Sequence, residues 1–340
     1  MELLNIMCAS PNQVANATPL PAISAKFSAF NLVDVVYKSV DDTPIQASIL
    51  IPKDIKPRKH PLMIRWHGGF LVTGNRLFQD WYPQWTLDLA LKHQAIIVTP
   101  DHRLMPEATG LDILQDVKDF FTWLLTPGNM AQHMRNSVEV DLHNILMNGE
   151  SAGGWLAWQS AVLHPERIAA VVAHYPMLDM HAPQFMEKYE KQLFTPPAPQ
   201  LPVHILDDFL QNLKGNEVVT SATPPERLPL GLVILQQGRT AEFFGTDRSL
   251  YPLDMLDDMT SMPPTWILHG KDDSAVPVQG TRNYAAELHR KLPEARLHLS
   301  LEEGEHGFDN HGPNGEPASL ETDWVKKGAD FIERYWPVSV

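Results

Sequence analysis

A single cysteine, Cys8, stands in a chain of 340 residues. No intrachain disulfide can form and no cysteine cluster can hold a metal, so a disulfide scaffold is excluded and a reducing compartment suits the chain. Basic residues are also scarce: 27 Lys and Arg face 41 Asp and Glu, a net charge of −14. Without a Lys-Arg cluster, nucleic acid and anionic membrane surfaces are excluded as partners, because both require basic patches. The acidic balance serves solubility instead. No run approaches the roughly 18 apolar residues of a membrane span. Residues Met1 to Cys8 lack the basic region and sustained apolar stretch of a signal peptide, so a cytoplasmic location is expected. Asn16-Ala17-Thr18 matches a glycosylation acceptor, which means little without secretion. There is no internal repeat, no low-complexity tract and no His-Glu-x-x-His helix.

What is present is enough apolar material for a large core: 44% hydrophobic residues suit one α/β domain with an insertion better than two independent domains. Strand-like and helix-like stretches alternate, as in a mostly parallel twisted sheet flanked by helices. Val33 to Lys38 and Ile45 to Ile51 read as opening strands, followed by Leu62 to Trp66 and Ala95 to Val98. Leu111 to Leu125 has helical spacing, with Asp116 and Asp119 on its polar side, and ends before Pro127-Gly128. Further strands are expected at Ile145 to Met147, Ile168 to His174, Thr265 to Leu268 and Arg296 to Leu301, and a last helix at about Thr322 to Tyr335. That last helix and the edge strands offer a surface for a homodimer, although packing of the helix on the sheet accounts for it equally well.

Gly149-Glu150-Ser151-Ala152-Gly153 lies between an apolar strand and a helix-compatible stretch, Trp155 to Val162. A strand, sharp turn and helix with serine at the apex is the geometry of a nucleophile elbow, and the flanking glycines avoid clashes with strand and helix. Alone, the pattern equally suits a serine that caps a helix. The remaining groups of a serine hydrolase follow in chain order, however: acids Asp272 and Asp273, then His306. His67-Gly68-Gly69 follows the strand Leu62 to Trp66 and places small residues where a backbone must approach a reacting carbonyl. An ordinary tight turn is the plainer alternative. Gly69 and Gly74 have phosphate-loop spacing, but Asn75-Arg76 stands where Lys and Ser/Thr are required. Oxyanion donors are assigned to the amides of Gly68, Gly69 and Ala152, the last at the positive end of the following helix.

Together with Asp101-His102-Arg103-Leu104-Met105-Pro106-Glu107, these segments resemble the hormone-sensitive-lipase-like carboxylesterases of the α/β-hydrolase fold. The resemblance spans about residues 40 to 175 and 247 to 336. It implies a catalytic Ser151, Asp273 and His306, the acid being chosen over Asp272 by the family's Asp-x-x-Val-Pro spacing in Asp273 to Pro277. His306, in Glu305-His306-Gly307-Phe308 after the last strand, takes the base position. His311 is the only near rival, and a zinc site from His306, His311 and Asp309 is the metal alternative; no metal and no cofactor are expected. Two departures stand out: Phe70 occupies the place of the family's third glycine, and Glu150 precedes the serine where Asp is usual.

The implied organisation is a first core part at 1–177, its N-terminal segment joining the cap, a helical cap at 178–247 and a second core part at 248–340 carrying acid and base. The cap's composition shifts at Pro196-Pro197-Ala198-Pro199 and Pro224-Pro225. Phe185, Met186, Phe194, Phe209, Phe243 and Phe244 could line its pocket or simply pack it, and the same holds for Trp81 and Trp85 after the oxyanion loop. The implied activity is hydrolysis of an ester, lactone or thioester of a small apolar molecule, in the style of fungal natural-product pathway hydrolases. Lyase or cyclase chemistry in the same pocket is the alternative. A ligand receptor on this fold commonly loses the histidine that His306 retains.

Overall fold

The computed structural model describes residues 25–135, 137–215, 217–310 and 315–337. Cys8, the Asn16 acceptor, the N-terminal segment assigned to the cap and His311 lie outside the described residues. Eight strands form one sheet: β1 (Phe30–Val40), β2 (Thr43–Pro52), β3 (Lys59–Trp66), β4 (Ile96–Pro100), β5 (Glu139–Glu150), β6 (Ile168–His174), β7 (Thr265–Gly270) and β8 (Leu297–Glu302). Their order is β1-β2-β4-β3-β5-β6-β7-β8, with β2 antiparallel to both neighbours and every later pairing parallel. This is the α/β architecture that the alternation of strand and helix predicts.

The central strands are apolar on both faces because helices cover both. On β3, Leu62 and Ile64 enter one core, while Met63 between them enters the other. Helices α1 (Gln84–His93) and α10 (Asp323–Ile332) close the face of Met63; α2 (Gly110–Leu125), α3 (Ala152–Leu163) and α9 (Val278–Lys291) close the opposite face. Val325, Ala329, Phe331 and Ile332 of α10 are buried in the Met63-side core, so its apolar stripe is used within the chain. Between β6 and β7 the described residues form five α-helices joined by loops: α4 (Pro183–Met186), α5 (His204–Asn212), α6 (Leu228–Gln236), α7 (Thr240–Phe244) and α8 (Pro252–Met255). Among the described residues no helix is long and apolar enough to cross a membrane.

Several elements run past their expected bounds. Helix α3 begins at Ala152, directly after the serine, and β5 continues to Glu150, so the turn has no spare residue. Asp116 departs from the polar side assigned to it: it is fully buried and binds Lys38 at 2.7 Å and Arg103 at 2.9 Å. Periodicity places a carboxylate on a helix face, but cannot show that a cation from β1 will close over it. Trp85 is core, stacked on His174 with ring centroids 5.0 Å apart. Trp81 lies instead beside the Gly68-Gly69 loop, where a Cβ built on Gly69 would meet its ring at 3.2 Å.

Candidate active site

Ser151 caps the start of α3 with φ 58° and ψ −117°, a conformation that costs a non-glycine residue about 1–3 kcal/mol and marks a turn held by its surroundings. Its N–H donates to the His174 carbonyl at 2.8 Å, and its own carbonyl accepts from Gly154 and Met177. The flanking glycines are obligatory. A Cβ on Gly149 would lie 2.0 Å from the Gly153 carbonyl oxygen, and one on Gly153 would lie 2.1 Å from that of Trp66. Strand β5 and helix α3 can therefore leave the serine in opposite directions only if both positions lack a side chain.

Gly68 faces the serine: a Cβ there would sit 3.2 Å from Ser151 Cβ and 2.7 Å from the Glu150 carbonyl oxygen. The amides of Gly68, Gly69 and Ala152 find no acceptor among the described residues. The Gly68 carbonyl is taken by His67 Nδ1–H at 2.8 Å. Burial, with the neighbouring His102 ring, holds His67 well below its ordinary value, so the imidazole is neutral and Nδ1 carries the proton for this bond. A donor on the Gly68 carbonyl fixes that peptide plane, and with it the direction of the Gly69 N–H on the plane's other side.

His306 and Asp273 meet across two loops at the carboxyl ends of β8 and β7, with His306 Nδ1 2.8 Å from Asp273 Oδ2. Asp273 Oδ1 accepts the N–H groups of Ala275 and Val276, at 3.0 and 2.8 Å, which orients the carboxylate. Burial raises the Asp273 carboxyl, but the His306 charge and hydrogen bonds from His269 and His306 prevail and bring it down to about 2. Burial likewise opposes the His306 imidazolium, and Asp273 outweighs it, leaving this histidine above its ordinary value. Asp272, the rejected neighbour, is exposed and accepts the Gly304 N–H. The structure thus brings His306 to Asp273 and Gly68 to Ser151. Tyr175 joins the two halves: it follows His174, whose carbonyl holds the Ser151 amide, and its ring lies 4.5 Å from that of His306.

Other parts of the site have no signal in the sequence. Arg65 is fully buried behind the elbow and binds Glu150 at 2.8 Å while its guanidinium stacks 4.0 Å above the Tyr82 ring. Asp309, offered as a metal ligand, is committed elsewhere: it accepts from His174 Nδ1 at 2.8 Å, Tyr175 Oη at 3.1 Å and Trp85 Nε1 at 3.3 Å. The Asp101 to Glu107 segment is mechanical. Asp101 holds Arg76, and Glu107 pairs with Arg227 at 2.6 Å, tying the β6–β7 insertion to the core. Of the insertion's aromatic residues, Phe194 comes within 6.3 Å of the His306 ring and Phe185 lines a cavity with Phe70. Phe244 packs on Trp155, Phe209 under Arg227, and Met186 is exposed.

With this geometry in hand, known proteins supply a frame. The model of the α/β-hydrolase fold family matches residues 63–218. A probable carboxylesterase of Phoma sp. is 34% identical over 322 residues, covering 92% of this chain and 98% of that protein. A non-reducing polyketide synthase of Preussia isomera is 27% identical over 340 residues, which are 91% of this chain and 15% of the synthase. The native structure of an esterase from Thermogutta terrifontis superposes with a TM-score of 0.56 at 19% identity, over 91% of this chain and 92% of the other, a likeness of fold alone.

Proposed function

The chain belongs to the carboxylesterases of the α/β-hydrolase fold and is a carboxylic-ester hydrolase, and on that premise we propose that it works through an acyl-enzyme on Ser151, with His306 as base and Asp273 as its partner. The observation that carries this reading is the 2.8 Å contact between His306 Nδ1 and a buried Asp273, in a chain whose Ser151 is held at φ 58° in an elbow and linked to His306 through Tyr175. The bond at Nδ1 leaves Nε2 as the atom that exchanges protons, and the retained Asp273 charge stabilises the imidazolium when it forms.

In the first half-reaction Ser151 Oγ bonds to the ester carbon while its proton passes to His306 Nε2. The carbonyl oxygen becomes an oxyanion, for which the unpaired amides of Gly68, Gly69 and Ala152 are the donors. The C–O bond to the alcohol then breaks, and His306 delivers its proton to the departing oxygen. In the second half water gives a proton to His306 and attacks the acyl carbon, and Ser151 leaves with the proton returned. The insertion between β6 and β7 serves as the cap that excludes bulk water. No step calls for a cofactor.

A substrate from polyketide metabolism, as ester, lactone or thioester, is supported by the similarity to a segment of a polyketide synthase. Retention of His306 favours hydrolysis over a ligand receptor. The test is intact mass after treatment with a fluorophosphonate. One adduct on the wild type and none on Ser151→Ala is the expected result; an unlabelled wild type would refute the mechanism.

A further inference from the structure

Two backbone costs converge where the family's third glycine is replaced. Phe70 and Leu71 both adopt left-handed conformations, at φ 60° and 63°, which a glycine would take without strain. Opposite them, Gly231 interrupts the otherwise apolar helix α6, an unfavourable place for glycine. The two fit each other. A Cβ built on Gly231 would lie 3.2 Å from Phe70 Cδ2 and 3.5 Å from its Cβ, so the missing side chain on α6 is the seat of the Phe70 ring. Around the ring, Val72, Met105, Met177, Phe185, Ile234 and Leu235 close an apolar cavity of about 10 Å³, room for no more than one water.

Phe70 lies on a definite side of the nucleophile. In the sheet, β3 and its loop with Gly68 to Phe70 flank β5 on one side, whereas β6, β7 and β8, with Asp273 and His306, flank it on the other. His306 must reach the departing oxygen, so the alcohol of a bound ester faces the β8 side and the acyl group faces Phe70. Met177, whose N–H bonds the Ser151 carbonyl, joins the cavity to the elbow.

We propose that Phe70, seated on Gly231, is the floor of the acyl site and limits the substrate to esters of short, acetyl-like acids, with the bulk of the molecule in the alcohol. This rests on the acyl-enzyme reading above and deepens it. It disfavours a long polyketide acyl group and favours the deacylation of an esterified alcohol.

The experiment compares kcat/KM for p-nitrophenyl acetate, butyrate, hexanoate and octanoate in the wild type, Phe70→Leu and Phe70→Gly, with fluorophosphonate labelling and thermal melting of each. The wild type should fall steeply beyond the shortest acids. Phe70→Gly should raise the octanoate-to-acetate ratio by roughly tenfold or more, the scale on which a pocket discriminates methylene groups, with Phe70→Leu intermediate. A wild type that takes octanoate as well as acetate overturns the inference, as does a labelled, folded Phe70→Gly with an unchanged profile. If Phe70→Gly does not fold, Phe70→Leu carries the same two outcomes. A wild type that neither labels nor cleaves any ester removes the acyl-enzyme reading itself. In addition, Gly231→Ala should lower the melting temperature in the wild type and not in Phe70→Gly; an equal effect in both would show that ring and glycine are not partners.

Discussion

The carboxylate of Glu305 takes both the backbone N–H and the hydroxyl of Ser274, at 2.6 and 2.8 Å. Glu305 precedes the proposed base and Ser274 follows its acid partner, so this contact joins the loops after β7 and β8, as do the His306–Asp273 contact and the bonds between Asp272 and Gly304. Ser274 Oγ also accepts the Phe194 amide at 2.6 Å, and Gln184 donates to the Ser274 carbonyl. The insertion therefore grips the acid loop at the same residue that holds the base loop.

Glu305→Gln should keep most of these contacts and remove the charge. Because the Glu305 charge helps to raise His306, the acid limb of the kcat/KM profile should move to lower pH in this variant. Glu305→Ala should in addition lower kcat by about tenfold, as the base loses its orientation. A pH–rate profile of both variants checks this; an unmoved acid limb in Glu305→Gln would count against the electrostatic part.

The His306–Asp273 pair should also set the pH dependence of activity and stability. In the proposed mechanism His306 acts as the neutral base, and it lies above its ordinary value, so kcat/KM should fall on acidification from a higher pH than an exposed imidazole would require. For folding, its stabilising share is complete below about 6.5 and is lost as pH rises through the raised value. The Asp273 share is present above 3.8 and is lost as pH falls towards about 2. Counted once for the pair, this is on the order of 2 kcal/mol. Urea unfolding between pH 2 and 8, against Asp273→Asn, measures it.

Gly68→Ala should disable catalysis more than folding. Its Cβ would press on the Glu150 carbonyl and stand against Ser151, displacing the oxyanion loop from the elbow. A loss of about 100-fold in kcat is expected, the scale of a lost oxyanion donor, with a folded circular-dichroism spectrum. Gly149→Ala should instead fail to fold, since the clash at 2.0 Å is with the backbone of Gly153 in the first turn of α3, which cannot move aside as a side chain would.

Arg65→Met should cost about 3–5 kcal/mol in unfolding free energy, because it strands the buried Glu150 carboxylate. Glu150→Gln, which keeps an acceptor for the guanidinium, should cost less. Chemical denaturation of the two variants ranks them, and the reverse order would contradict the buried-pair argument.

The parts legible in the sequence are those whose cause is local. An elbow needs glycine on both sides of its serine, an acid loop needs its amides a few residues after the carboxylate, and strands and helices announce themselves by periodicity. Ser151 and Gly68 could be named because each sits in a short motif with its own backbone requirement, whereas Asp273 and His306 were singled out among several acids and histidines by the resemblance to the carboxylesterases. Asp116 is misplaced by the same logic: it reads as a solvated carboxylate until Lys38 from β1 closes on it. Asp309 offers itself as a metal ligand until His174, at the end of β6, and Tyr175 after it, 135 and 134 residues away, close on it.

By itself, then, the sequence determined the fold class, the order of the chemical groups and the loops that carry them, since bonded neighbours and repeat spacing decide those. Only the tertiary structure decided which charges share a burial site, that Arg65 would support Glu150 from 85 residues away, and that Phe70 would rest on Gly231. Those pairings depend on strand order in the sheet and on how an insertion settles over it. The free energy of burying a charge or filling a gap becomes definite only when the partner has arrived.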